Sequence, residues 1–188
     1  MTYDRELHHR QSIRWQEHDY AASGTYFVTI CTADRACLFG DVLEGEMRVN
    51  ALGRIVEDEW VRTDEIRSEV GIDVFAVMTN HLHGIVTIRP PESKVGEVTF
   101  RMERGGRQQG ACNAPLRRSP NSLGAVIAGF KASSTRRITL GTNGDVARVW
   151  QRGYYDRVIR TDEEFQAIAE YIVTNPERWQ SDSDHVVS

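Results

Sequence analysis

Four residues carry the types and spacing that could do chemistry: His81 and His83, two apart, and Tyr171 and Asn175, four apart. The histidines lie in Asp73 to Ile85, DVFAVMTNHLHGI, where the apolar runs Val74 to Met78 and Ile85 to Ile88 flank a polar corner at Thr79 and Asn80. In a β-strand residues i and i+2 share a face, so the two imidazoles project together while Leu82 turns into the core. Two imidazoles side by side on a strand begin a divalent-metal site, and a third ligand must come from elsewhere. The competing reading is a pair of histidines exposed at a strand end.

That third ligand has a candidate near the C-terminus. Glu164, Ile168, Tyr171 and Asn175 fall at steps of four, three and four, so on a helix they form one stripe. The Asn175 amide oxygen is a hard donor suited to Mg²⁺ or Mn²⁺. The Tyr171 phenol, with an ordinary pKa of about 10, is a weak nucleophile at neutral pH unless a cation or base assists it. A metal held by His81, His83 and Asn175 beside Tyr171 is a consistent centre for phosphoryl transfer. Spacing alone leaves open whether that helix docks against the histidines.

The elements that must position these residues follow from patterning. Gly24 to Thr32, GTYFVTICT, is a strand rich in β-branched and aromatic residues; apolar on both faces, it belongs in the middle of a sheet. Gly40 to Asn50 forms a hairpin turning at Glu44-Gly45. Asn50 caps a helix in which Leu52, Ile55, Val56 and Trp60 recur at helical spacing, running to about Arg67. The strand pair with the histidines follows. Ser122 to Leu140 carries a helical stripe of Leu123, Val126, Ile127, Phe130 and Ser134, with Lys131, Arg136 and Arg137 off it. Val146 to Arg160 is a further strand with a bend at Gly153. Thr161 and Glu164 form a capping box for the last helix, whose core face is Phe165, Ile168, Ala169 and Ile172. Asn175-Pro176 ends that helix. This order predicts an α+β fold, an antiparallel sheet with helices packed on one face.

At 188 residues the chain fits one domain. We expect an N-terminal arm over 1–22 that includes His8, His9 and His18, a catalytic domain over 23–180 with a basic insert at about 90–121, and a flexible tail over 181–188. Cys31, Cys37 and Cys112 form no CxxC pair and suit a reducing, cytoplasmic setting. No apolar run is long enough to span a membrane. The net charge of −4 hides an asymmetry. Arg101 to Arg160 holds twelve basic and three acidic residues, whereas Asp34 to Asp73 holds five basic and eleven acidic ones. Such polarity suits a polyanion on one face, though the basic block also fits a solvated loop. Arg117 and Arg118 in the insert, with Lys131, Arg136, Arg137, Arg152 and Arg157, are the candidate phosphate contacts. Tyr154 and Tyr155 are either strand packing or base-stacking platforms.

Four stretches, SIRWQEHDYAASGTYFVTICTADRACLFG, MTNHLHGI, SLGAVIAGFK and VWQRGYYDRVIRTDEEFQAIAEYIVTNPERW, together resemble the tyrosine transposases of the His-hydrophobic-His single-strand endonuclease superfamily. The resemblance is strongest to the group associated with repetitive extragenic palindromes (REP). It implies a ferredoxin-like fold and a metal-dependent single-stranded DNA endonuclease and transferase acting at hairpin-flanked sites through a 5′-phosphotyrosine. His81 and His83 match the metal pair, Tyr171 the nucleophile and Asn175 the third-ligand position. Thr79 departs from the proline expected there, and Asn175 stands where glutamine is common. The implied partner is single-stranded DNA with palindromic hairpins, and the chain would act as a monomer or a homodimer. A metal phosphohydrolase is a rival, disfavoured because Ile85 interrupts a His-x-His-x-His run. A rolling-circle or relaxase-type nicking enzyme and a non-cutting hairpin-binding regulator are the others.

Overall fold

The computed structural model describes residues 23–89 and 122–181. The expected arm, the basic insert with Arg117 and Arg118, and the expected tail beyond residue 181 lie outside the described residues.

Four strands make the main sheet: β1 (Gly24–Cys31), β4 (Val70–Val77), β5 (His81–Ile88) and β6 (Tyr155–Ile159), in the order β4-β5-β1-β6. All neighbouring pairs are antiparallel. With α1 (Ala51–Glu65) between β1 and β4, and α2 (Leu123–Gly141) between β5 and β6, the topology is the ferredoxin-like βαββαβ arrangement. A small hairpin, β2 (Gly40–Leu43) and β3 (Glu46–Val49), is inserted before α1. Its turn residues Glu44 and Gly45 have φ of 55° and 79°, the left-handed pair that a tight hairpin requires. The last helix, α3 (Asp162–Val173), follows β6 and leads into a 3₁₀ turn at Pro176–Ser181.

Alternation along β1 and β5 divides the interior into two clusters. Tyr26, Val28 and Ile30 of β1, with Leu82, Val86 and Ile88 of β5, pack with Val56 and Trp60 of α1 and with Val126, Ile127 and Phe130 of α2. Their strand neighbours Phe27 and Ile85 belong to a second cluster with Ile159, Ile172 and the partly buried Phe165, Ile168 and Tyr171. The antiparallel α+β class therefore holds, with one correction. Helices α1 and α2 share a face as expected, but α3 packs on the opposite one. The reason is that β1 and β5 are apolar on both faces, and only a third helix covers the second.

Capping agrees with expectation at Asn50, and at Thr161 for the N-cap half of the predicted box, the Glu164 carboxylate accepting from the Arg160 N–H instead of that of Thr161. The Asn50 side chain accepts from the N–H groups of Leu52 and Gly53, and Thr161 Oγ1 accepts from the N–H of Glu164. The expected strand over Val146 to Arg160 is shorter than predicted. Before β6 the chain is a strap whose Trp150 forms one isolated bridge with Thr32. Gly153, with φ of 86°, breaks the extended run. Lys131 of α2 holds this strap by donating to the carbonyls of Gln151 and Gly153.

Candidate active site

His81 and His83 open β5 and point toward the α3 side of the sheet, as the i, i+2 spacing predicts. Their ring centroids are 4.3 Å apart, and both are buried, His81 at 0% exposure and His83 at 2%. They are therefore not an exposed pair at a strand end. The partner strand supplies part of the cover. Thr29 of β1 lies opposite His83 and its Oγ1 is 2.9 Å from His83 Nδ1. Phe27 tilts against the same ring at 5.4 Å.

Helix α3 does dock here. The Tyr171 ring lies 5.2 Å from that of His83, and its hydroxyl is 3.4 Å from His83 Nε2. The three-point geometry is self-consistent when His83 Nδ1–H donates to Thr29 and Nε2 accepts from the Tyr171 phenol. Burial, reinforced by the neighbouring His81, holds the His83 pKa well below the usual imidazole value. The ring is thus neutral at pH 7, the form that ligates metals.

Asn175 is placed differently from the sequence expectation. It sits beyond α3, whose C-cap is Thr174, because Pro176 cannot continue the helical hydrogen-bond ladder. It is still fully buried. The residues that bracket it both touch the histidine pair: Tyr171 packs on His83, and Trp179 lies 5.8 Å from His81, ring to ring.

Among the described residues no group of three His, Cys, Asp or Glu side chains is arranged to hold a metal ion. The donor chemistry nevertheless suits a cation in part. Two imidazoles stand side by side, and the remaining donors would be neutral or substrate oxygens, the Asn175 amide among them.

The predicted phosphate contacts separate into groups. Lys131 and Arg136 line an open cleft of about 480 Å³ between α2 and the strap, together with Gln151, Trp150 and Arg148, the last 3.8 Å from Asp34. The strap hydrogen-bonds to Cys31 through the Gln151 N–H, and Cys31 pairs with His81 across the sheet. The strap therefore lies at the His81 end of the sheet. Burial lowers the Lys131 pKa to about 8. Arg137 instead binds Glu59 at 2.9 Å and Asp58 at 3.2 Å, tying α2 to α1. Arg157 binds Glu164 at 2.8 Å. Arg152 is exposed. Tyr154 packs against the larger core, whereas Tyr155 is 44% exposed and meets Phe27 edge-on at 6.2 Å, on the face that carries His83 and Tyr171. Arg148, Thr29, Trp179 and Asn80 were not singled out from the sequence. Only Asn80 had a local signal, a polar residue directly before His81.

The fold and the site define a class: a ferredoxin-like α+β protein with a buried histidine pair on its sheet and a tyrosine-bearing helix docked against it. The chain belongs to the same family as an uncharacterized protein of Haemophilus influenzae, with which it is 35% identical over 184 residues, 98% of this chain and 97% of the relative. No family model matches the chain. Among solved structures, a REP-associated tyrosine transposase bound to a REP hairpin aligns at a TM-score of 0.54 over 87% of this chain and 73% of its own. At 15% identity that likeness is one of fold. A Deinococcus radiodurans structure aligns at a TM-score of 0.44 with 12% identity, too distant to extend the comparison.

Proposed function

We propose that this protein is a tyrosine transposase-type enzyme that cuts and rejoins single-stranded DNA at hairpin-flanked sites. The observation that carries the proposal is the Tyr171 hydroxyl 3.4 Å from His83 Nε2, beside His81. A nucleophile-bearing helix from the C-terminal part of the chain thereby meets a histidine pair from its middle. The neighbour of the same fold is a tyrosine transposase bound to a REP hairpin, and the proposal takes that ligand class for this chain.

His81 and His83 would hold a divalent cation, with Asn175 as the candidate third donor. Imidazole donors favour Mn²⁺ over Mg²⁺ at such a site. When bound, the cation would stabilise charge on the scissile phosphate. His83 Nε2 cannot hold both the phenol and a cation, so Tyr171 must swing off that nitrogen to act. Its phenolic oxygen then attacks phosphorus in line. The bond to phosphorus forms as the P–O3′ bond breaks; the phenolic proton passes to solvent, and the 3′ oxygen gains a proton to leave as a 3′-OH. Tyr171 is left joined to the 5′ phosphate. Attack by a second 3′-OH reverses the step and joins strands without ATP. Lys131, Arg136 and Arg148, the last 3.8 Å from Asp34, offer contacts for a DNA backbone, and Tyr155 offers a face for a base.

The test is incubation with Mn²⁺ and hairpin-bearing single-stranded oligonucleotides drawn from the DNA flanking the gene. A denaturation-resistant adduct is expected, lost in both Tyr171→Phe and His81→Ala. One observation favours a second reading, a hairpin-binding protein that does not cut: the histidine pair is fully covered, His81 by Trp179 and His83 by Tyr171. Tight hairpin binding with no adduct would support that reading.

A further inference from the structure

Asn80 takes no part in the chemistry above, yet it is fully buried and meets three pieces of chain. Its Oδ1 lies 2.9 Å from His81 Nδ1. Its Nδ2 donates to the Arg35 carbonyl at 3.2 Å. Its own carbonyl accepts from the N–H of Thr32 at 2.8 Å and from the Thr32 hydroxyl at 2.9 Å. These contacts determine which way the amide points. Turned over, its oxygen would face the Arg35 carbonyl oxygen at hydrogen-bond distance, two acceptors in contact. The amide oxygen is therefore the atom that meets His81, and a carboxamide oxygen only accepts. The proton of a neutral His81 must sit on Nδ1, and the lone pair on Nε2.

We infer that Asn80 is the positioning residue of the histidine pair: it selects the Nδ1–H form of His81, and the Arg35 carbonyl holds it in the orientation that does so. The carbonyl comes from a strained corner. Asp34 and Arg35 have φ of 55° and 57°, left-handed values that are unfavourable for a residue with a side chain such as Arg35. Strain of this kind persists where surrounding contacts over-determine it; here the corner delivers a carbonyl to the amide that orients His81. A residue that fixes tautomer and ring orientation typically contributes 10–100-fold to metal affinity.

The tautomer is a property of the apo protein and stands apart from the proposed reaction; only the affinity effect rests on the metal reading. The test is nitrogen-15 NMR of the histidine-labelled, metal-free full chain at neutral pH, using long-range proton–nitrogen correlations to locate the ring proton. Wild-type His81 is expected as Nδ1–H. Asn80→Ala should move the proton to Nε2, and Mn²⁺ affinity measured by calorimetry should fall 10–100-fold. Far-UV circular dichroism checks folding; should Asn80→Ala unfold, Asn80→Ser carries the same prediction. A wild-type ring protonated on Nε2 or on both nitrogens would overturn the inference, as would an Nδ1–H ring that survives removal of the amide. An Nδ1–H ring dependent on Asn80, in a protein that forms no DNA adduct, would sustain the inference and sink the nuclease.

Discussion

The two faces of one sheet differ in what the same strands present to them. Toward α1 and α2, β5 shows Leu82, Gly84, Val86 and Ile88; toward α3 it shows His81, His83 and Ile85. The first face is apolar and closely packed, with Trp60 edge-on to Phe130 at 4.8 Å. The second is a smaller apolar cluster interrupted by imidazoles, Thr29 and a phenol. Because strand side chains alternate, a stable core and a polar centre can be one residue apart without compromising each other. The rigidity of the first face keeps the two histidines in register on the second.

The sharpest way to break that comparison is Leu82→Ala. It lies between the two histidines but points into the larger core, and it should cost about 2–5 kcal/mol of stability. Chemical denaturation would measure the loss, while whatever folded fraction remains should still bind Mn²⁺. Gly84→Ala comes next. A Cβ there would lie 2.7 Å from Trp60 Cζ2, and overpacking of that kind costs about 1–3 kcal/mol. Thermal melting should show it without a change in the adduct yield per folded molecule. On the other face, Tyr155→Ala should leave stability nearly unchanged and weaken single-stranded DNA binding by about 1–3 kcal/mol if a base stacks there, read by fluorescence anisotropy. The smallest effect concerns pH. The Lys131 pKa is lowered to about 8 from its ordinary 10.5 because burial penalises the charged amine. Between those values the unfolded chain binds the proton and the folded one releases it, so stability rises with pH across that window. Comparing wild type with Lys131→Met from pH 8 to 10 should show the wild type gaining relative stability, and a flat difference would place the amine in water.

Much of this arrangement was legible in local pattern. The central strand, the Glu44-Gly45 hairpin, the Asn50 and Thr161 caps and the shared face of His81 and His83 all depend on residues close in sequence. The features that escaped depend on distant ones. The face chosen by α3 follows from apolar residues of β1 and β5 that periodicity does not assign to a partner. The strap before β6 looked like strand because Val146, Val149 and Trp150 are strand-forming types, whereas its path is set by Lys131 on another element. Arg137 looked like a phosphate ligand until α1 supplied Asp58 and Glu59. The Asn80 amide stood in plain sight, but its orientation depends on a carbonyl 45 residues away.

The central claim is that Tyr171 is the nucleophile held at a histidine pair. Mass spectrometry of the protease-digested product, after reaction with a hairpin-bearing single strand and Mn²⁺, tests it most directly. The account predicts one nucleotide-modified peptide, containing Tyr171 joined to a 5′ phosphate, that disappears in Tyr171→Phe and in His83→Ala. A modified peptide containing Tyr154 or Tyr155 instead, or an adduct that survives Tyr171→Phe, would contradict it.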